Sequence, residues 1–98
     1  SAEPVVEAHP GITFQNPYPA GSPILLRAAA EGTGAQVQIY NVQGQLVRSL
    51  LDGTIGTAAR RLAWDGRAEG GARLGAGVYL MRAQIGSMRV NRTLLMVR

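Results

Sequence analysis

Trp64-Asp65-Gly66-Arg67, a glycine-rich interval, and then Gly77-Val78-Tyr79 form the stretch whose reading decides the fold. Tryptophan at the end of an alternating segment anchors a core, because its ring offers a large apolar area and one N–H that needs a partner. Asp65-Gly66 is a turn, in which the carboxylate accepts backbone donors. Gly77 then opens a new strand in which Tyr79, Met81 and Ala83 alternate with Val78, Leu80 and Arg82.

Working toward the amino terminus, Leu62 shares a face with Trp64, while Arg61 and Ala63 take the other. Val37 and Ile39 alternate with Gln36, Gln38 and Tyr40. They lead into Asn41-Val42-Gln43-Gly44, a hairpin turn with Gly44 at the position that needs positive φ, followed by the apolar Leu46, Val47 and Leu50. In Pro23 to Ala30, Ile24, Leu26 and Ala28 form the face without the arginine and are expected inside. Ile12-Thr13-Phe14 begins the folded part as a short edge strand. Asn16-Pro17-Tyr18-Pro19 interrupts it, since proline lacks a ladder donor.

Toward the carboxyl end, Gly86-Ser87 turns into a last strand, Met88 to Val97, whose register the pattern leaves open. Val90, Leu94 and Met96 share a face with Arg92, whereas Leu95 and Val97 share one with Asn91 and Thr93, and a slip of one residue exchanges core and surface. About seven short strands, glycine-rich turns and no helical period predict an all-β antiparallel β-sandwich.

Length and composition agree. The chain has 98 residues, of which 46% are hydrophobic, with 13 Gly and 5 Pro, enough for one small core. Residues 1–11, with Pro4, His9 and Pro10, have the composition of a linker or tail, leaving residues 12–98 as the domain. No apolar run reaches the roughly 20 residues that span a bilayer, and Ser1-Ala2-Glu3-Pro4 is no signal peptide, so a removed signal or an excised domain is expected.

There is no cysteine, hence no disulfide or thiolate site. All ten cationic residues are arginine, and the formal charge is +4. Arg82, Arg89, Arg92 and Arg98 make the carboxyl end basic. Such a surface raises nucleic acid or anionic lipid as a partner, but arginines alternating along strands are more simply a solvated face, and no nucleic-acid binding is expected.

Catalysis is not expected either. Acyl transfer needs a nucleophile with a base, and the one histidine, His9, lies beside a proline in the tail. Asp52, Asp65 and Glu69 are the carboxylates from which an acid–base pair or a calcium site would have to come. Asp65 before glycine is first a turn residue, and no alternating acidic pattern accompanies it. No metal and no cofactor are therefore expected. The glycines from Gly66 to Gly77 precede no helix and form no phosphate cradle. A sugar platform would have to use Tyr18, Tyr40, Trp64 and Tyr79, of which two are better placed as core.

The ordered pieces Gln15-Asn16-Pro17-Tyr18 with Ile24, Val37 and Ile39-Tyr40-Asn41-Val42 with Gly44 and Val47, Trp64-Asp65-Gly66-Arg67, Gly77-Val78-Tyr79, and Arg92 to Arg98 carry a resemblance over residues 14–98. The chain resembles the type A carboxyl-terminal sorting domains of type IX secretion, in the immunoglobulin-like group that includes the outer domain of the flagellar hook-capping protein. The resemblance implies an immunoglobulin-like fold whose structural motif is Asn16, Pro17, Gly44, Trp64, Asp65 and Gly66. It implies a non-catalytic domain that directs a covalently linked upstream cargo through an outer-membrane translocon, by way of the periplasm, to the cell surface or beyond. A sortase-like protease would cut within Ser1 to Gly11.

The partner-recognition residues it implies lie between Gly77 and Arg98, namely Gly77, Val78, Tyr79, Arg92, Leu94, Leu95, Val97 and Arg98. Strand addition along Leu94 to Val97 is the physical form such recognition would take. The alternative is a structural accessory or assembly module, a hook-capping-like spacer, with carbohydrate binding behind it.

Overall fold

Alternation of apolar and polar side chains leaves each strand with one face to bury, and two sheets meet that need by packing face to face. The computed structural model describes residues 5–9 in backbone and residues 11–98 in full. Its strands are β1 (Val5–His9), β2 (Ile12–Asn16), β3 (Tyr18–Pro19), β4 (Pro23–Leu26), β5 (Thr33–Tyr40), β6 (Leu46–Ile55), β7 (Arg60–Ala63), β8 (Gly77–Ile85) and β9 (Met88–Val97). One sheet has the order β1-β2-β4-β7, the other β3-β9-β8-β5-β6. Every pairing is antiparallel except the short parallel contact of β3 with β9. The architecture is an immunoglobulin-like β-sandwich.

The core lies between the sheets where alternation puts it. Ile24, Leu26 and Ala28, Val37 and Ile39, and Tyr79, Met81 and Ala83 are all buried. Trp64 is the largest of the fully buried side chains. The last strand takes the register that buries Val90, Leu94 and Met96, and Arg92, on the same face by alternation, remains exposed. Pairing with β8 fixes this register, because Leu94 lies opposite Tyr79 and Met96 opposite Gly77. The alternative would have put Leu95 inside and Leu94 in water.

Two sequence expectations are corrected. Residues 1–11 are not wholly a tail, for Val5–His9 forms β1, antiparallel to β2 from Val5 opposite Asn16 to His9 opposite Ile12. Residues 1–4 and 10 lie outside the described residues. β2 is consequently not an edge strand. The proline-poor run Val5-Val6-Glu7-Ala8-His9 leaves every ladder donor in place, which the prolines on either side obscure in a reading by composition. The apolar run after the hairpin also divides, since Leu46 is exposed whereas Val47 and Leu50 pack against the core.

The Asn16-Pro17 break does more than end a strand. It passes the chain from one sheet to the other, with β2 pairing in the first and β3 in the second. The strands added to the expected seven are thus β1 and the two-residue β3.

Candidate recognition surface

The turn residues around Trp64 build a closed loop at one end of the sandwich. Trp64 is stacked with Tyr18 at a centroid separation of 6.5 Å and meets Tyr79 edge-on at 5.1 Å. Its indole Nε1–H donates to the Arg67 carbonyl at 3.0 Å. Its backbone N–H donates to the Tyr18 hydroxyl at 2.9 Å, and that hydroxyl in turn donates to the Ser22 carbonyl. Burial pushes the Tyr18 phenol up from its usual pKa, with the Trp64 N–H bond opposing that shift and the Asp65 charge adding a little to it. Tyr18 therefore serves as a neutral hydrogen-bond relay inside the core.

Asp65 behaves as its turn position requires, accepting the Arg67 N–H on Oδ1 at 3.0 Å. Leu74 N–H donates to the Gly66 carbonyl at 3.0 Å, closing the loop, and the Tyr79 hydroxyl donates to the Gly75 carbonyl at 2.6 Å. Arg48 reaches from β6 to Asp65 Oδ1 at 3.3 Å and Glu69 Oε2 at 3.5 Å. Both pairs are substantially exposed, so they orient the loop more than they stabilise it. Asp52 is held elsewhere, accepting from Gln36 Nε2 at 3.3 Å. The three carboxylates considered for acid–base or calcium chemistry are therefore not brought together. Among the described residues, no group of three or more potential metal-binding side chains occurs, and no helix is long and apolar enough to cross a membrane.

The hairpin turn is built as its sequence suggests. Asn41 Oδ1 accepts the N–H groups of Gln43 and Gln45 at 3.0 and 2.9 Å, and Gly44 sits at φ +84°. At the opposite end of the sandwich, the Glu31 carboxylate accepts both the N–H and the hydroxyl of Thr57. These bonds hold its carboxyl below the ordinary glutamate pKa.

The residues expected to recognise a partner do not share one surface. Val78 and Leu95 lie opposite each other on the outer face of the five-stranded sheet and are exposed. Tyr79 and Leu94 form another opposed pair, but they are buried in the core. Gly77 begins β8, Val97 is half-buried beside β3, and Arg92 is exposed and donates to the Asn91 carbonyl at 2.8 Å. The Arg98 guanidinium turns back onto the Trp64 loop, donating to the carbonyls of Asp65, Gly66 and Leu74. Its sequence neighbours give no sign of this, because its acceptors lie 24 to 33 residues away.

The strand edges decide what can be added to the sheet. On β9, Asn16 Nδ2 donates to the Thr93 carbonyl at 2.9 Å, and Leu95 N–H donates to Asn16 Oδ1 at 3.1 Å. One side-chain amide therefore substitutes for a neighbouring strand, just where Pro17 has no N–H to offer. Tyr18 and Pro19 then pair with Met96 and Val97, and Ala20 N–H donates to the Val97 carbonyl at 2.8 Å. The Leu94 to Val97 edge, expected to be open for strand addition, is occupied by the domain itself. At the other end of the sheet, Glu69 covers part of the β6 edge. Its N–H donates to the Val47 carbonyl at 2.8 Å, and its carboxylate accepts the Ser49 N–H at 3.1 Å. Both devices blunt edges that otherwise template aggregation.

Asn16→Ala removes both bonds to β9 and leaves the Thr93 carbonyl and Leu95 N–H to water. The expected loss is about 1 to 2 kcal/mol by urea denaturation, with hydrogen exchange at Leu95 accelerating. An unchanged Leu95 exchange rate would remove the strand-surrogate role.

A search of curated proteins finds no match. The family model described as FlgD Ig-like domain matches residues 18–87, from β3 through the turn after β8. The match takes in the Trp64 loop and the Asn41 hairpin, and it stops before β9. Matching more than two thirds of a chain that folds as an immunoglobulin-like sandwich, it shows that this chain belongs to the FlgD Ig-like domain family.

Proposed function

We propose that the domain is a non-catalytic structural module, a rigid immunoglobulin-like spacer or assembly unit. The observation that carries this reading is where the polar groups of the Trp64 loop go. Asp65, Arg67, Glu69 and Arg98 are engaged with the loop, its backbone or the β6 edge, and so serve to stiffen one end of the sandwich. The family match supports the same reading.

The export reading rests on the order of the Asn16-Pro17, Trp64-Asp65-Gly66 and Gly77-Val78-Tyr79 pieces, followed by a basic-apolar last strand. In it the partners are a translocon, a sortase-like protease and an upstream cargo, and the route runs from periplasm to cell surface. One experiment separates the two. The domain is fused to the carboxyl end of a periplasmic reporter and expressed in a host with an intact type IX pathway and in one lacking its translocon. A spacer leaves the reporter folded and periplasmic in both hosts. Surface reporter only in the intact host would replace the spacer reading with the export reading.

A further inference from the structure

The outer face of the five-stranded sheet carries a feature that a spacer does not require. Directly opposed residues project to the same side of a sheet. Leu95 lies opposite Val78, Tyr40 opposite Leu80, and Tyr40 opposite Leu46, so these side chains form one patch running from β9 across β8 and β5 to β6. Leu46 is 53% exposed, Val78 47%, and Leu80 and Leu95 40% each. Four strands at their usual spacing make the patch about 15 Å wide. Scattered exposed apolar residues need no explanation, but a contiguous patch with a polar border marks an interaction site.

The border on β8 and β9 is cationic. Arg82 lies over the Tyr40 ring at 5.1 Å and donates to Asn91 Oδ1 at 3.3 Å, which holds its guanidinium beside Leu80. Arg82, Asn91 and Thr93 help to line a depression of about 310 Å³ next to the patch. Arg89 lies on the same face, opposite Gln84. Among the described residues, Asp52 lies on this face beside Gln36, and the Glu69 carboxylate stands at the β6 edge, where Arg48 and the Ser49 N–H engage it. Gln36 is four residues along β5 from Tyr40, a distance of about 13 Å at the rise of a strand.

We propose that this face docks an extended peptide segment of a partner protein that carries apolar and acidic side chains. Its apolar groups cover Leu46, Val78, Leu80 and Leu95, and a carboxylate meets Arg82. Desolvation by the apolar cover strengthens that ion pair relative to an exposed one. The inference goes beyond the spacer reading, and neither depends on the other.

The test is selection of a random dodecapeptide display library on the 98-residue chain, followed by affinity measurement with the synthesised winners. Peptides combining leucine, valine or isoleucine with aspartate or glutamate are expected. Their affinity should fall at least tenfold for Arg82→Glu and for Leu80→Ser, both surface changes whose folding circular dichroism verifies. Peptides carrying lysine or arginine should gain on the Arg82→Glu variant. Failure to enrich such peptides, or winners indifferent to both variants, would overturn the proposal. So would a Leu80-dependent dimer in sedimentation, which would assign the patch to a second copy, or Leu80-dependent binding to phosphatidylglycerol vesicles, which would assign it to a membrane.

Discussion

Replacing Trp64 with alanine is expected to lower the unfolding free energy by about 3 to 5 kcal/mol, the usual cost of truncating a large buried aromatic. The ring is fully buried between Tyr18 and Tyr79, and its N–H holds the Arg67 carbonyl, so core and loop lose support together. Small domains have roughly 5 to 15 kcal/mol in all, which makes this a large share. The melting temperature should fall by about 15 to 30 °C. Urea titration followed by far-ultraviolet circular dichroism is the appropriate measurement, because Trp64 is the single tryptophan and its removal abolishes the natural fluorescence probe. Trp64→Phe should keep most of the packing and lose about 1 to 2 kcal/mol with the indole bond and some volume. A loss below 1 kcal/mol for the alanine variant would contradict the assignment of Trp64 as the central anchor.

Gly66→Ala is expected to cost about 2 to 4 kcal/mol although it adds a single methyl group. Two causes combine. Gly66 has φ +76°, where a Cβ strains the backbone, and that Cβ would stand 2.8 Å from Arg98 Nη2 and 3.0 Å from Nη1. The methyl group therefore pushes away the guanidinium that spans the carbonyls of Asp65, Gly66 and Leu74. A double-mutant cycle separates the causes. In an Arg98→Ala background only the backbone part should remain, about 1 to 2 kcal/mol. If Gly66→Ala costs as much there as in the parent chain, the guanidinium is not coupled to the loop.

These two positions show why the Trp64-Asp65-Gly66-Arg67 stretch is informative. Trp64 ends an alternating segment and is directed inward, Asp65 accepts the backbone donor two residues on, and Gly66 provides the turn that brings Leu74 N–H back to its carbonyl. The roles of all three follow from side-chain chemistry within a few residues. The function of Arg98 does not. From the sequence it is a basic residue at the end of an apolar strand, a natural recognition element. In the fold it is a strut for the same loop.

The proposed recognition residues divide for a similar reason. A list running along β8 and β9 mixes the two faces of a sheet, so Val78 and Leu95 emerge outside while Tyr79 and Leu94 are buried. The outer patch was partly legible, since β8 is apolar on both faces in its first half. Its extension to Tyr40 and Leu46 was not, because it depends on which strands are neighbours.

By itself the sequence determined the all-β class, the inward faces of β4, β5 and β8, the Asn41 hairpin and the place of Trp64. Each is encoded by a period of two or by turn chemistry within a few residues, which operate before any long-range contact exists. The tertiary structure decided the register of β9, the recruitment of Val5–His9 into a sheet, the closure of the β9 edge by Asn16 and the return of Arg98 to Gly66. Asn16 and Leu95 are 79 residues apart, and Arg98 and Gly66 are 32. When both faces of a strand carry apolar residues, its local pattern fits two registers equally well, and only the neighbouring strand, with Tyr79 opposite Leu94, selects between them.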